Sequence, residues 1–326
     1  MQNKRELGGQ SPQSVYSREL GGQSPQTTTD IIIVGGGPAG LSAALVLGRS
    51  LRTVVLIDEG KPRNAVARKS HGYLTRDGIE PEALRSLARE ELRRYGSVDF
   101  WHDAVQEVAI TDGKFRAITK NGGSLASRVI VFASGMKEQL PAWPGLTDVY
   151  GRTVFPCPYC DGWEMRGKPL AVLGGGSNLM AHIKLIHNWS RDLIVCSDGP
   201  ADLNEQEREQ LEQRSIALYE QPLAGLESSA AGELTHVVLD GGERIARSGA
   251  FVTESGPRQA TDIPLRLGVP LDESGVYKTQ SHGLTRIPGL YIIGDAKQSF
   301  SGLTGAASEG YEAGVAINRA LVEEDW

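Results

Sequence analysis

The sequence predicts an α/β fold in which one strand–turn–helix–strand unit occurs twice, and three observations predict it. Residues 31–60, IIIVGGGPAGLSAALVLGRSLRTVVLIDEG, overlay 170–199, LAVLGGGSNLMAHIKLIHNWSRDLIVCSDG, without a gap. Each copy runs from an apolar strand through a Gly-rich turn and helix-spaced apolar residues to a second apolar strand closed by an acidic residue. Glycine is the one outlying number, 40 in 326 residues, against a usual share of about 7%, and it comes without the strict period of collagen. The glycines therefore serve local turns. The fold class that follows is a pair of Rossmann-like dinucleotide-binding units, each with an inserted β-meander.

Taken in order, the chain opens with RELGGQSPQ at 5–13 and again at 18–26. This segment has too little apolar surface to offset the entropy of ordering it, so 1–28 reads as a flexible tail without chemistry. The strand Ile31–Val34 runs into Gly35, Gly37 and Gly40, a G-x-G-x-x-G in which Pro38 and Ala39 open a helix. Gly35 permits the tight turn, Gly37 lets a pyrophosphate approach the backbone, and Gly40 lets the helix lie close to the sheet. Asp58 or Glu59, at the end of the next strand, is placed to accept hydrogen bonds from an adenosine ribose. Pro81–Tyr95 reads as an amphipathic helix, with Glu early and Arg late to suit the helix dipole. Three strands then turn at Asp112-Gly113 and Asn121-Gly122. Near the C-terminus, GLYIIGDA at 289–296 is an apolar strand stopping at Gly294-Asp295, followed by a small-residue helix, Gly302–Leu321. A carboxylate at that strand edge suits a ribityl hydroxyl and a flavin edge, which favours FAD over NAD; a helix cap by Asp295 is the plainer alternative.

A net charge of −6 argues against nucleic acid as a partner, since non-specific affinity for it comes from clustered Lys and Arg. No apolar run reaches the roughly 18 residues a membrane span needs, and the first 30 residues hold no signal-peptide core, so a cytoplasmic protein is expected. Cysteines are three: Cys157, Cys160 and Cys196. An intracellular C-x-x-C is redox-active or metal-binding more often than structural. A structural zinc needs four ligands, yet Cys196 ends a distant strand and His182 and His187 sit on another helix, so no metal is expected. Two thiols at this spacing can close and reopen a small disulfide ring, and Asp161 beside them can shuttle the proton of a leaving thiolate or be a solvated turn residue.

In GGGPAG near the start, FASG at 132–135, CPYCD at 157–161, the second glycine motif at 174–176 and YIIGDA at 291–296, the chain resembles the low-molecular-weight thioredoxin reductase family of flavoproteins. The resemblance covers about residues 29–322. It implies an FAD-binding domain in two segments, 29–138 and 258–326, around a central pyridine-nucleotide-like domain at 139–257 that carries the C-x-x-C. It also implies a homodimer and a thioredoxin-like protein or small dithiol or disulfide as substrate. Carried over, Cys160 lies against the flavin as the charge-transfer thiolate, Cys157 exchanges with substrate, and Asp161 is the general acid/base. FAD contacts are implied for Gly35, Gly37, Pro38, Ala39, Gly40, Asp58, Glu59, Arg63, Asn64, Val105, Ala133, Gly135, Gly294 and Asp295, and a central nucleotide site at Gly174 and Gly176.

The chain departs from the family at that second site. Leu179 stands where a Gly or Ala would pack, and the Arg-rich run that grips an NADPH 2′-phosphate is replaced by CSDGPADLNEQERE, in which Asp198, Asp202, Glu205 and Glu207 precede the first Arg, Arg208. NADPH is therefore not expected as the reductant; NADH, a second FAD or an empty site remain. In this the chain resembles the dithiol oxidases and diflavin-linked disulfide oxidoreductases. Trp189 or Trp163 is either packed or available to stack on a second flavin. Ser301-Gly302 stand where the reductases have an Arg-Gln pair, and His71, in SHGYLTRDG, reads as a loop histidine before a base near the flavin. The expected activity is electron exchange between FAD and the Cys157–Cys160 pair; an NAD(P)H-dependent thioredoxin reductase and a non-catalytic redox sensor are the alternatives.

Overall fold

Three consecutive isoleucines, Ile31, Ile32 and Ile33, are wholly buried, as a central parallel strand covered on both faces requires. They belong to β1 (Thr28–Val34) in a computed structural model that describes residues 28–253 and 255–326. The tail read at 1–28 otherwise falls outside the described residues. Thr28 is in the strand because it and Thr29 pair with Ala126 and Ser127 of a neighbour.

From β1 the chain passes through α1 (Pro38–Arg49), β2 (Val54–Asp58), α2 (Pro81–Leu92) and β3 (Val98–His102). The meander follows as β4 (Val105–Thr111), β5 (Lys114–Thr119) and β6 (Ser124–Phe132). β7 (Met136–Lys137) leads out to α3 (Leu146–Val149), β8 (Val154–Phe155), α4 (Pro158–Met165), β9 (Leu170–Leu173), α5 (Leu179–Ile186), β10 (Leu193–Cys196), α6 (Glu205–Glu212) and β11 (Ala217–Tyr219). A second meander, β12 (Leu223–Ser228), β13 (Leu234–Leu239) and β14 (Arg244–Ala246), precedes β15 (Gly249–Val252). β16 (Arg258–Gln259) returns the chain and pairs antiparallel with β7. α7 (Ile263–Arg266), β17 (Leu290–Ile292), α8 (Asp295–Gln298) and α9 (Gly302–Asp325) complete the molecule.

The expected fold class is observed: two Rossmann-like sheets with a small antiparallel one. The first sheet has the order β3-β2-β1-β6-β5-β4, with β17 also on β6; the second is β11-β10-β9-β15-β8 and wholly parallel; β12-β13-β14 stand apart. The first meander is not a separate layer, because its last strand pairs parallel with β1 and, over 130–132, with β17. Alternation along the strands divides the core. Ile31, Ile33, Val129 and Val131 face α1 and α9, while Ile32, Ile130 and Phe132 face Phe115, Ile263 and Tyr277.

Two helix ends differ from the sequence reading. α2 stops at Leu92 rather than Tyr95, where the chain turns through Gly96 so that Val98 can pair with Val54. α9 runs four residues past Leu321, because Asp325 meets Arg52 and Arg128 at 2.5 and 2.7 Å and Glu324 meets Arg128 at 2.9 Å. α9 also lies close against α1. A Cβ on Gly310 would come within 2.0 Å of the Ala39 carbonyl oxygen, so glycine is required there.

Candidate active site

The first glycine turn is built to leave its backbone accessible. Gly35, at φ +110°, could carry a Cβ only 2.4 Å from the Ala133 carbonyl, and a Cβ on Gly40 would lie 2.0 Å from the Gly35 carbonyl. Gly37 differs: an added Cβ would meet nothing within 4 Å, and this open residue is the N-cap of α1, with Pro38 at the first helical position. The start of α1 thus borders the open space of a cleft, the setting an anionic ligand at a helix N-terminus needs. Asp58 Oδ1 accepts the Gly36 N–H at 3.0 Å and so braces the turn from β2.

Beside this turn lies a cleft of about 520 Å³. Gly35, Gly37, Pro38, Ala39, Asp58, Glu59, Arg63, Asn64, Val105, Ala133, Gly135, Gly294 and Asp295 line it, and so do Cys157, Cys160 and Asp161. Gly40 stands behind the turn in its packing role. Gly174 and Gly176 do not line this cleft; they belong to the turn after β9. Sixteen of the seventeen positions expected to bear on flavin or thiol chemistry line this cleft, so the disulfide-bearing helix and the first turn share one cavity.

The cysteines are held by α4. Pro158 opens the helix, Cys157 is its N-cap with Sγ accepting the Cys160 N–H at 3.2 Å, and the two sulfurs form a disulfide with Cα atoms 5.3 Å apart. Asp161 follows in the first turn. Burial pushes its carboxyl up to about 7, the Glu164 charge adds to this, and His71 opposes it. A carboxyl that titrates near neutrality can both take and give a proton there. Cys196 is different: it is free, wholly buried against the second meander, and burial pushes its thiol up to about 12.

Two wall residues, Glu138 and Arg85, were not legible in the sequence. Glu138 ion-pairs with Arg63 Nε, while Arg63 Nη1 donates to Asp295 Oδ2 at 2.7 Å and to the Ser299 carbonyl at 2.6 Å. Arg63 thereby ties the chain after β2 to the segment leaving β7 and to the end of β17. Asp295 is no simple helix cap, because its other oxygen accepts the Ser301 N–H and Oγ–H at 3.0 and 2.8 Å. Asn64 donates to Ser70 Oγ at 3.3 Å, and Glu59 accepts from Lys61 at 3.0 Å. Ser134 Oγ and the Nε and Nη1 of Arg85 are buried in the wall without a partner among the described residues. His71, read first as a loop histidine, also lines the cleft. Glu138 and Arg85 carry no motif; packing alone brings them in.

The second turn is built otherwise. Gly174 and Gly176 both have φ +97°, but α5 starts at Leu179, two residues later than α1 does in the overlay, and Leu179 is wholly buried. Asp198, at φ +56°, accepts the Trp143 Nε1–H at 2.8 Å and the Leu223 N–H at 2.7 Å. Arg208 is paired with Glu220 at 2.7 Å. Trp189 packs on Gly162 and sits edge-on to Tyr159, whereas Trp163 is exposed beneath Arg166. Among the described residues no three His, Cys, Asp or Glu gather as a metal site, and no helix is long and apolar enough to cross a membrane.

A family model for pyridine nucleotide-disulphide oxidoreductases matches residues 29–310. The chain belongs to that family. It is 30% identical to a probable thioredoxin reductase of Arthroderma benhamiae, over 90% of this chain and 81% of the relative, and 30% identical to the thioredoxin reductase sirT of Leptosphaeria maculans, over 89% and 93%. Among solved structures, a putative thioredoxin reductase from Bacillus anthracis superposes with a TM-score of 0.87 at 32% identity, covering 91% of this chain and all of that one. With a C-x-x-C disulfide in place, this family member is a thioredoxin reductase-like flavin disulfide oxidoreductase. FAD is the flavin expected of it, and the open Gly37, the α1 N-terminus and the unpartnered Ser134 and Arg85 atoms fit such a group.

Proposed function

We propose that this protein exchanges electrons between FAD in the first cleft and the Cys157–Cys160 pair, with a dithiol rather than NADPH as the electron source. The observation that carries the reading is the contrast between an open first turn sharing a cleft with the disulfide and a second turn whose Asp198 is already bonded. Bound FAD would supply the two-electron couple. The α1 N-terminus and Gly37 would hold its pyrophosphate, Asp58 or Glu59 its ribose, and Gly294, Asp295, Ala133, Gly135, Val105 and Asn64 its remaining length, with Arg63 fixing Asp295. Cys160 would lie nearer the flavin and Cys157 exchange with substrate. Asp161, poised near neutrality, would hold or release the thiol proton.

The donor argument is electrostatic. A 2′-phosphate placed beside Asp198, with Arg208 neutralised by Glu220, would meet carboxylates instead of the bidentate Arg contacts it ordinarily takes. The substrate in this reading is a thioredoxin-like protein or a small dithiol. A homodimer belongs to it as well, supported by Tyr311, Val315 and Val322, which expose apolar surface along α9.

Anaerobic mixing of the purified holoprotein with NADPH, NADH and dithiothreitol, followed at the flavin band, tests the reading. Dithiothreitol should bleach the flavin and NADPH should not; rapid bleaching by NADPH overturns the donor assignment. Cofactor released and counted by chromatography should give one FAD per chain, and two would place a second in the central unit. The names of the two fungal relatives favour a second reading, an NAD(P)H-dependent thioredoxin reductase that grips its nucleotide by other contacts, and the same mixing experiment separates the two.

A further inference from the structure

His71 belongs to the loop between β2 and α2, yet it reaches the helix that carries the disulfide. Its Nε2 lies 3.7 Å from Glu164 Oε1 on α4, and its Nδ1 lies 3.5 Å from Asp77 Oδ1 on its own loop. The ring is largely buried, whereas the Asp77 side chain is 71% exposed. Asp77 is fixed in turn, because its Oδ1 accepts the Gly72 N–H at 2.8 Å. His71 also lines the same cleft as Cys157, Cys160 and Asp161. The groups whose charges act on Asp161 are His71 from the loop and Glu164 one turn along α4, and Asp161 in turn acts on the Tyr150 phenol just after α3. Imidazole is therefore the one titratable cation-former among these neighbours, with one ring nitrogen toward α4 and the other toward the exposed Asp77.

We propose that His71 is a proton-relay residue acting through Asp161, carrying the thiol proton of the reduced cysteine pair between the cleft and solvent at Asp77. The inference rests on the FAD–disulfide reading above. In the step concerned, the Cys157 S–H bond breaks, the S–S bond to the Cys160 thiolate forms, and the electron pair passes to the flavin. One proton leaves the thiol and one is taken up with the electron pair, so the step is balanced and needs only a route. Asp161 accepts the thiol proton, His71 takes it from Asp161, and the imidazole releases it on the Asp77 side.

The test is anaerobic stopped-flow bleaching of the holoprotein by dithiothreitol from about pH 5 to about pH 9, with FAD content measured alongside. His71→Gln should slow bleaching at least about tenfold and change the pH profile, within the usual range for losing a proton-transfer group. Added imidazole should restore the rate of His71→Ala and leave the wild type unaffected. A His71→Gln protein that keeps FAD and bleaches at the wild-type rate with the wild-type profile overturns the relay, as does a failure of imidazole to restore His71→Ala. If the His71 variants lose FAD, Glu164→Gln takes their place: it leaves His71 present but removes the charge beside Nε2, and an unaltered pH profile overturns the proposal. A wild type that dithiothreitol does not bleach brings down the underlying reading instead.

Discussion

The two glycine turns share a thirty-residue pattern and differ in local geometry. At the first, the helix starts immediately after Gly37, nothing occupies the space above that residue, and Asp58 braces the backbone from behind. At the second, the helix starts two residues late behind Asn178, and Asp198 is bonded to Trp143 and Leu223. The difference is local and small in atoms. It sets the helix N-terminus further from the glycines and ties the carboxylate at the strand end to the Trp143 ring and the Leu223 backbone. A shared glycine pattern therefore specifies a βαβ unit without fixing where its helix begins.

The largest effect that would break this comparison comes from Gly40→Val. With a backbone oxygen 2.0 Å from the new Cβ, α1 must move, and FAD content should fall at least tenfold by chromatography (roughly 1.4 kcal/mol per decade). Gly176→Ala, in the matching turn, should leave FAD content and dithiol bleaching unchanged; equal losses in the two variants would show that both turns hold flavin. Next is Arg63→Gln, which leaves Glu138 and Asp295 without their cation. Removing one partner of a buried pair costs about 3–5 kcal/mol, so a lowered thermal midpoint together with weakened FAD retention is expected, measured by melting and by dialysis.

Asp161→Asn gives an intermediate effect that depends on pH. The folded-state pKa is raised to about 7 from an ordinary 3.8, so the native protein binds more protons than the unfolded chain between those values. Wild-type stability from this group falls as pH rises through that window and levels off above it. The Asn variant should gain in thermal midpoint relative to wild type from pH 4 to pH 7, with a flat difference beyond. As a base, the Asp161 carboxylate should also give dithiol bleaching an ascending limb near neutrality, and the Asn variant should lose that limb. The smallest effect belongs to Asp198→Ala, which deletes two hydrogen bonds and should cost about 1–3 kcal/mol in stability. Flavin bleaching by dithiothreitol should stay at the wild-type rate, read by the same stopped-flow assay.

Much of the fold was legible because strand and helix periods, Asp-Gly and Asn-Gly turns and Pro-led helix starts are written in short windows. The meander at 105–132 and the strand at 290–292 fall where those signals place them. Partners in space were not legible. Nothing near Glu138 marks it as the counter-ion of Arg63, and nothing near Asp198 marks Trp143 and Leu223 as its partners. His71 was ambiguous for the same reason: a loop histidine acquires a role only from what folds against it.

By itself the sequence determined the doubled βαβ unit, the thiol pair at 157 and 160 with a carboxyl beside it, and the missing Arg-rich run before Arg208. These are properties of composition and spacing, set by backbone sterics and by the apolar period of each element. Only the tertiary structure decided that the disulfide faces the first turn, that Asp198 is already bonded, and that Asp161 is buried deeply enough to titrate near neutrality. The physical reason is that desolvation and hydrogen-bond satisfaction are set by residues distant in the chain, and no local pattern encodes which of them will arrive.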